Sequence, residues 1–311
     1  MLLILKKVIY IFIILGINLY FCSFIITKIS SRSELRRGFV LGRSGGLFYP
    51  FSKMFKYLSK DYRLNLWEFL LFFFSLFIWT MIPFSQSLII LKFDFDLIIV
   101  LVFYLILIFI NLVIASRSAY GFNYSNFTKK AVMVFAFFTP VLFSTSSLIL
   151  INRTLSLREI VNFQYQSWNI IYQPLGFIIM FVSVFMQFKL LGLPKRNIFF
   201  FSENSEKEGA GIGRFITRIS YYSIIFFLIV LVIIFYLAGW QPVKIINGNI
   251  TFGIKFYIIF VILILIDKAI PKLNDYNYIY SINLKFLFPV SAVNFLITLI
   301  FFLLRKVYNL I

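Results

Sequence analysis

"FDLIIVLVFYLILIFINLVIA", residues 95–115, carries no charge beyond Asp96 at its start. It neither alternates like a half-buried strand nor shows the three-and-four spacing of a helix with one wet face. A run apolar on every side suits a helix in lipid, and about 20 such residues cross a bilayer. Seven further runs share this character: 8–26, 67–91, 131–152, 169–191, 219–240, 251–267 and 284–304. The fold class read from them is all-α: a polytopic membrane protein with about eight transmembrane helices in one membrane domain over 1–311.

Composition agrees. Of 311 residues, 61% are hydrophobic and 21% aromatic, with a mean hydropathy of +0.96, against about 45–50% apolar in soluble domains. Lys and Arg outnumber Asp and Glu by 30 to 11. In a soluble chain that excess suggests nucleic acid; here 21 of the 30 lie in the loops after the first, third, fifth and seventh runs or, as Lys189 and Lys285, at the run ends that border them. Basic residues gather on the cytoplasmic or matrix side, so both termini are expected on the other side. Lys6 and Lys7 precede the first run as in a signal peptide, but no small-residue cleavage site follows, and the run reads as a retained helix. The chain has no His and a single Cys, Cys22, inside the first run. A disulfide within the chain, a Cys or His metal site, His-ligated haem and a Ser-His-Asp triad are thereby excluded. Abundant Phe, Ile, Lys, Asn and Tyr beside few Ala and Gly suggest an AT-rich genome, that of an organelle or a reduced bacterium.

Two long loops fall on the basic side, 27–66 and 192–218. The first contains "RRGFVLGRSGGLFYPFSKMFKYLSKD", Arg36 to Asp61. Gly42, Gly45, Gly46 and Pro50 break a helix. After them, 51–60 places Phe51, Met54, Phe55 and Leu58 on one face and Lys53, Lys56 and Lys60 on the other. That pattern predicts an amphipathic helix lying in the membrane interface. An apolar face beside a Gly-rich loop is a plausible portal for a hydrophobic molecule leaving the lipid.

This stretch resembles the first loop of the H subunit of bacterial NADH:quinone oxidoreductase, called subunit 1 in mitochondrial complex I. Against R-x-G-P-N-x-V-G-x-x-G-L-L-Q-P-x-A-D-x-x-K-L-x-x-K-E it supplies Arg36, Gly38, Gly46, Leu47, Pro50, Lys56, Lys60 and, conservatively, Asp61. Its departures include Phe39, Val40, Tyr49 and Lys53. The stretch "LKFLFPVSAVNFLIT" is similar to the family's W-K-x-L-L-P-x-S-x-x-N-x-x-x-T, with Lys285, Leu287, Pro289, Ser291, Asn294 and Thr298 in register. Weaker echoes are "ASRSAYGF" (Ala115 to Phe122), "QPL" (Gln173 to Leu175) and "AGW" ending in Trp240.

The resemblance implies a place at the joint of an L-shaped complex, forming the quinone chamber and beginning the proton route. It implies Arg36, Gly38, Pro50, Phe51, Phe55, Arg196 and Phe199 at the quinone chamber, and Asp61, Glu203, Glu206 and Glu208 as acids of the proton route. Partners would be other membrane-arm subunits, peripheral-arm iron-sulfur and quinone-site subunits, and lipid. The chain itself would bind no cofactor, with quinone as a substrate at the interface with iron-sulfur subunits. The expected location is the mitochondrial inner membrane or the bacterial plasma membrane.

The second loop, "LPKRNIFFFSENSEKEGAG" from Leu193 to Gly211, keeps Arg196, Phe199, Glu203 and Gly211 of the family's pattern. It has Leu193 and Phe200 where the family has Glu and Asp, and Ala136 stands where the family has a Glu in the fourth span. Alternatives from the residues are a structural scaffold with a degenerate proton route, a small-molecule permease, or the related subunit of a membrane-bound hydrogenase. Glu68 and Asp267 sit at span ends, where acids usually snorkel to water; both read as structural. Trp67, Trp168 and Trp240 read as interface anchors.

Overall fold

The computed structural model describes residues 2–33, 35, 48, 55, 59, 65–85, 88–118, 121–122, 124–190, 212–242, 247–270 and 276–307. Helices occupy all eight apolar runs: α1 (Leu2–Ser33), α2 (Leu66–Phe77), α3 (Asp96–Ser116), α4 (Tyr124–Asn152), α7 (Pro174–Leu190), α8 (Ile212–Tyr236), α9 (Gly248–Ala269) and α11 (Phe288–Val307). Short helices α5 (Leu157–Phe163) and α6 (Asn169–Tyr172) precede α7, and α10 (Tyr276–Ile282) precedes α11. Six helical segments among the described residues are long and apolar enough to cross a membrane; Leu66–Thr80 and Pro174–Lys189 are shorter. The chain is an all-α, multi-pass membrane protein. Its described strands are a minimal antiparallel pair joining α3 to α4, Arg117–Ser118 against Gly121–Phe122.

The two short helices correct the expected spans, and proline explains both. The run expected over 67–91 stays helical only to Thr80. Its end tightens into a 3-10 turn, Ile78–Thr80, and Pro83, which has no N–H to continue the ladder, follows. In the run expected over 169–191, Gln173 leaves helical geometry ahead of Pro174. Pro174 then takes the first position of α7, where its missing N–H costs nothing. The 17 residues of α7 reach about 26 Å at about 1.5 Å each, slightly short of the about 30 Å hydrocarbon core.

Two further prolines sit inside helices and are accommodated locally. Pro140, in α4, removes the N–H that would bond the Ala136 carbonyl; Thr139 Oγ1 donates to that oxygen at 3.1 Å instead. Before Pro289 the chain widens into a π-helical turn, Asn283–Leu287, in which the Phe288 N–H reaches the Asn283 carbonyl. In regular α geometry the Pro289 ring clashes with the carbonyl four residues back, and the wider turn makes room for it.

Helix α8 is the axis of the bundle. From Ser223 to Tyr236 every side chain is buried, as expected of a helix apolar all round. Helices α1, α2, α5, α7 and α9 pack around it, α3 and α4 stand behind α2 and α7, and α11 lies outermost on α4. Aromatic rings set these contacts: Phe226 lies 5.3 Å from Phe256 and 6.0 Å from Phe260, Phe227 5.7 Å from Tyr104, and Phe143 5.7 Å from Phe295. Only 17% of the α11 span and 22% of the α1 span are buried. Their outward apolar faces need lipid or another protein chain against them.

The helix ends away from the basic loops are cross-tied. Lys7 Nζ donates to the Ile89 carbonyl at 3.1 Å, and the Leu97 N–H to the Leu155 carbonyl at 3.1 Å.

Candidate functional site

The first loop starts where α1 stops. Leu35 turns into left-handed backbone (φ 55°), its N–H bonding the Arg32 carbonyl. Further along, the Phe55 carbonyl accepts the Ser59 N–H at 3.0 Å. Phe55 is 66% exposed. The other candidates here, Arg36, Gly38, Pro50, Phe51 and Asp61, lie outside the described residues. So do Arg196, Phe199, Glu203, Glu206 and Glu208 in the second loop.

The loop ends at Asn65, the N-cap of α2. The Asn65 N–H donates to Glu68 Oε2 at 3.4 Å, closing a capping box. Glu68 therefore serves the start of its helix, consistent with a structural reading.

Asp267 corrects the other span-end expectation. It is 2% exposed and does not snorkel to water. Its Oδ1 forms an ion pair with Lys189 Nζ, joining the last turn of α7 to the last turn of α9. The Lys189 ammonium also donates to the Asp267 carbonyl at 3.4 Å and stands 5.7 Å from the Phe185 ring centroid. Removing each charge from water costs several kcal/mol, which their attraction offsets only while they stay together. The second oxygen, Asp267 Oδ2, is buried with no hydrogen-bond partner among the described residues. In the sequence Lys189 passes for a loop charge and Asp267 for a surface acid. An ionisable group within a span is the signal that marks them.

At the opposite end a neutral polar network ties α5, α6 and α8. Gln164 Nε2 donates to the Ile160 and Ile234 carbonyls at 3.1 and 2.8 Å, while its Oε1 accepts the Ala238 N–H at 2.9 Å. Asn169 Nδ2 donates to the Phe235 carbonyl at 2.8 Å. Lys255 Nζ caps the C-terminus of α8, donating to the Leu237 and Gly239 carbonyls at 2.6 and 3.2 Å, and stands 5.0 Å from the Trp168 ring centroid. Near this network Tyr236 OH, at the end of α8, is 2.6 Å from Ser144 Oγ, which donates to the Gly176 carbonyl. Trp240, expected at the interface, is instead buried at 6% exposure. It follows Ala238 and Gly239, whose positive φ folds the chain back over the helix end.

Ala136, where the resemblance calls for a Glu, is a buried residue of α4. Its carbonyl is the one freed by Pro140.

A model of the family described as NADH dehydrogenase matches residues 5–192, from α1 through the first loop to the end of α7. The chain belongs to the NADH dehydrogenase family. Individual relatives are distant. The H subunit of NADH-quinone oxidoreductase from Geobacillus sp. (strain WCH70) is 26% identical over 175 residues, 55% of this chain and 52% of that protein. The H 2 subunit from Rhizobium etli is 28% identical over 166 residues, 51% and 47% of the two chains. The H subunit from Bacillus cereus (strain B4264) is 24% identical over 175 residues, 55% and 52%. The match spans about half the length of these relatives. As a member of the NADH dehydrogenase family, the chain carries the matched first loop, Ala136 and Lys189 within 5–192; Asp267 lies beyond it.

Proposed function

We propose that the chain is the core membrane-arm subunit of respiratory complex I, NADH:quinone oxidoreductase, which forms the quinone-binding chamber and couples electron transfer to proton translocation. The observation that carries this reading is the family match over residues 5–192, a range that includes the Gly-rich basic loop with Arg36, Gly38, Pro50 and Asp61. The exposed Phe55 ring adds to it, since a quinone with an apolar tail passes from lipid most easily along apolar side chains.

In this reading Arg36, Gly38, Pro50, Phe51, Phe55, Arg196 and Phe199 line the chamber, and Asp61, Glu203, Glu206 and Glu208 pass protons. The chain holds no cofactor of its own; quinone is its substrate where it meets iron-sulfur subunits, and the other arm subunits are its partners. It acts only as part of the translocase, in the mitochondrial inner membrane or bacterial plasma membrane, with both termini away from the matrix or cytoplasm.

The test is Arg36→Gln and Asp61→Asn in the assembled complex. Quinone reduction falls while NADH oxidation by a soluble acceptor stays at the wild-type rate. Full quinone activity in both variants overturns the assignment. A second reading, a scaffold joining the arms without moving protons, is favoured by Ala136 at the place of a family acid. Protons moved per electron separate the two, because a scaffold is indifferent to Asp61→Asn with Glu203→Gln, Glu206→Gln and Glu208→Gln.

A further inference from the structure

Neither Lys189 nor Asp267 is part of a motif that resembles the family's, although Lys189 falls within the matched residues 5–192, and together they form a buried ion pair among the described residues. Their side chains are 6% and 1% exposed. As a clamp between α7 and α9 such a pair is a poor choice. Two apolar side chains of the same size hold helices together at least as well, without the cost of stripping water from two charges. A carboxylate that needed only to hold an ammonium would also find donors for both oxygens. Asp267 Oδ2 has none among the described residues, although it is buried.

We propose that the Lys189–Asp267 pair is a proton-transfer site of this chain, placed where the second loop meets the bundle. It rests on the proposed function above and deepens it: the pair takes up the relay that Leu193, Phe200 and Ala136 no longer supply. The cycle balances with one proton and no redox change. A proton from the loop side adds to Asp267 Oδ2, so the carboxylate becomes a neutral carboxyl. With Asp267 neutral, the Lys189 ammonium releases a proton to water on the side of the pair away from the loop. The carboxyl proton then moves to the neutral Lys189 amine, restoring the ion pair. One proton has crossed the site.

The test uses the whole complex in sealed proteoliposomes, measuring NADH:quinone rate and protons moved per electron. The decisive variant is the double change Lys189→Met with Asp267→Leu, which keeps the volume and removes both charges. A clamp tolerates it. A relay does not: protons moved per electron drop by about half or more at whatever rate of quinone reduction remains. Full proton stoichiometry in the double variant overturns the proposal. If that variant does not assemble, Asp267→Asn carries the same readout, with Asp267→Glu as the conservative rescue. Failure of both Asp267→Asn and the double variant to assemble assigns the pair to the fold and also overturns it. Absence of quinone reduction in the unmodified complex would instead remove the underlying function, an outcome distinct from either.

Discussion

Val161 occupies the space a side chain on Gly239 would need: a Cβ built on Gly239 comes 2.8 Å from Val161 Cγ2. Gly239 also has φ 48°, a conformation that costs other L-residues about 1–2 kcal/mol. Gly239→Ala is expected to destabilise the chain by about 1–3 kcal/mol through overpacking, with the backbone cost added. The measurement is the temperature at which the chain leaves the soluble fraction in mild detergent. Adding Val161→Ala recovers part of the loss; no recovery would show that the close approach is not the cause.

Gln164 has a comparable role with polar atoms. Its amide joins carbonyls of α5 and α8 to the Ala238 N–H. Gln164→Leu keeps most of the volume but leaves those groups buried and unpaired, each at about 1–3 kcal/mol. The chain is expected to accumulate poorly in membranes. Gln164→Glu, which retains an acceptor for Ala238 but no donor for Ile234, falls below wild type as well. Wild-type melting of Gln164→Leu would contradict the network.

Lys255 is the only cation among the described residues whose hydrogen bonds cap α8. Lys255→Met removes the donor to the Leu237 and Gly239 carbonyls and the charge over the Trp168 ring. The expected cost is about 1–3 kcal/mol for the carbonyls, with about 0.5–2 kcal/mol more for the ring contact. Trp168→Phe keeps a ring under the ammonium and is the milder change. Amide hydrogen exchange at Ala238 and Gly239 reads the cap directly: protection falls in Lys255→Met and stays in Trp168→Phe.

How much of this is legible in the sequence depends on the range of the interaction. A run such as 95–115 announces its helix because lipid favours apolar atoms whatever their neighbours. Pro83 and Pro174 are readable breaks too, since a proline acts on its own turn; they shorten two expected spans. The pairing of Lys189 with Asp267 is not readable, because the residues are separated by 78 positions and meet only through the docking of α7 beside α9. Trp240 misleads for the same reason: an aromatic at a span end usually marks the interface, but here left-handed Ala238 and Gly239 fold it inward. In the candidate site, Phe55 is exposed, and most of the loop around it lies outside the described residues. The remaining loop candidates depend on contacts that local periodicity does not encode.

Thr139 and Pro140 allow a local rule to be tested by a double-mutant cycle. Pro140 deprives the Ala136 carbonyl of its backbone donor, and the Thr139 hydroxyl replaces it at 3.1 Å. Thr139→Val is therefore expected to cost about 1–3 kcal/mol, the penalty for a buried carbonyl left unpaired. With Pro140→Ala present, the new N–H at position 140 reaches the same oxygen, and Thr139→Val becomes nearly silent. The coupling between the two sites is read from the change in detergent melting temperature across the four chains. Additive effects would mean that the hydroxyl does not compensate for the proline, and that α4 accommodates Pro140 by bending.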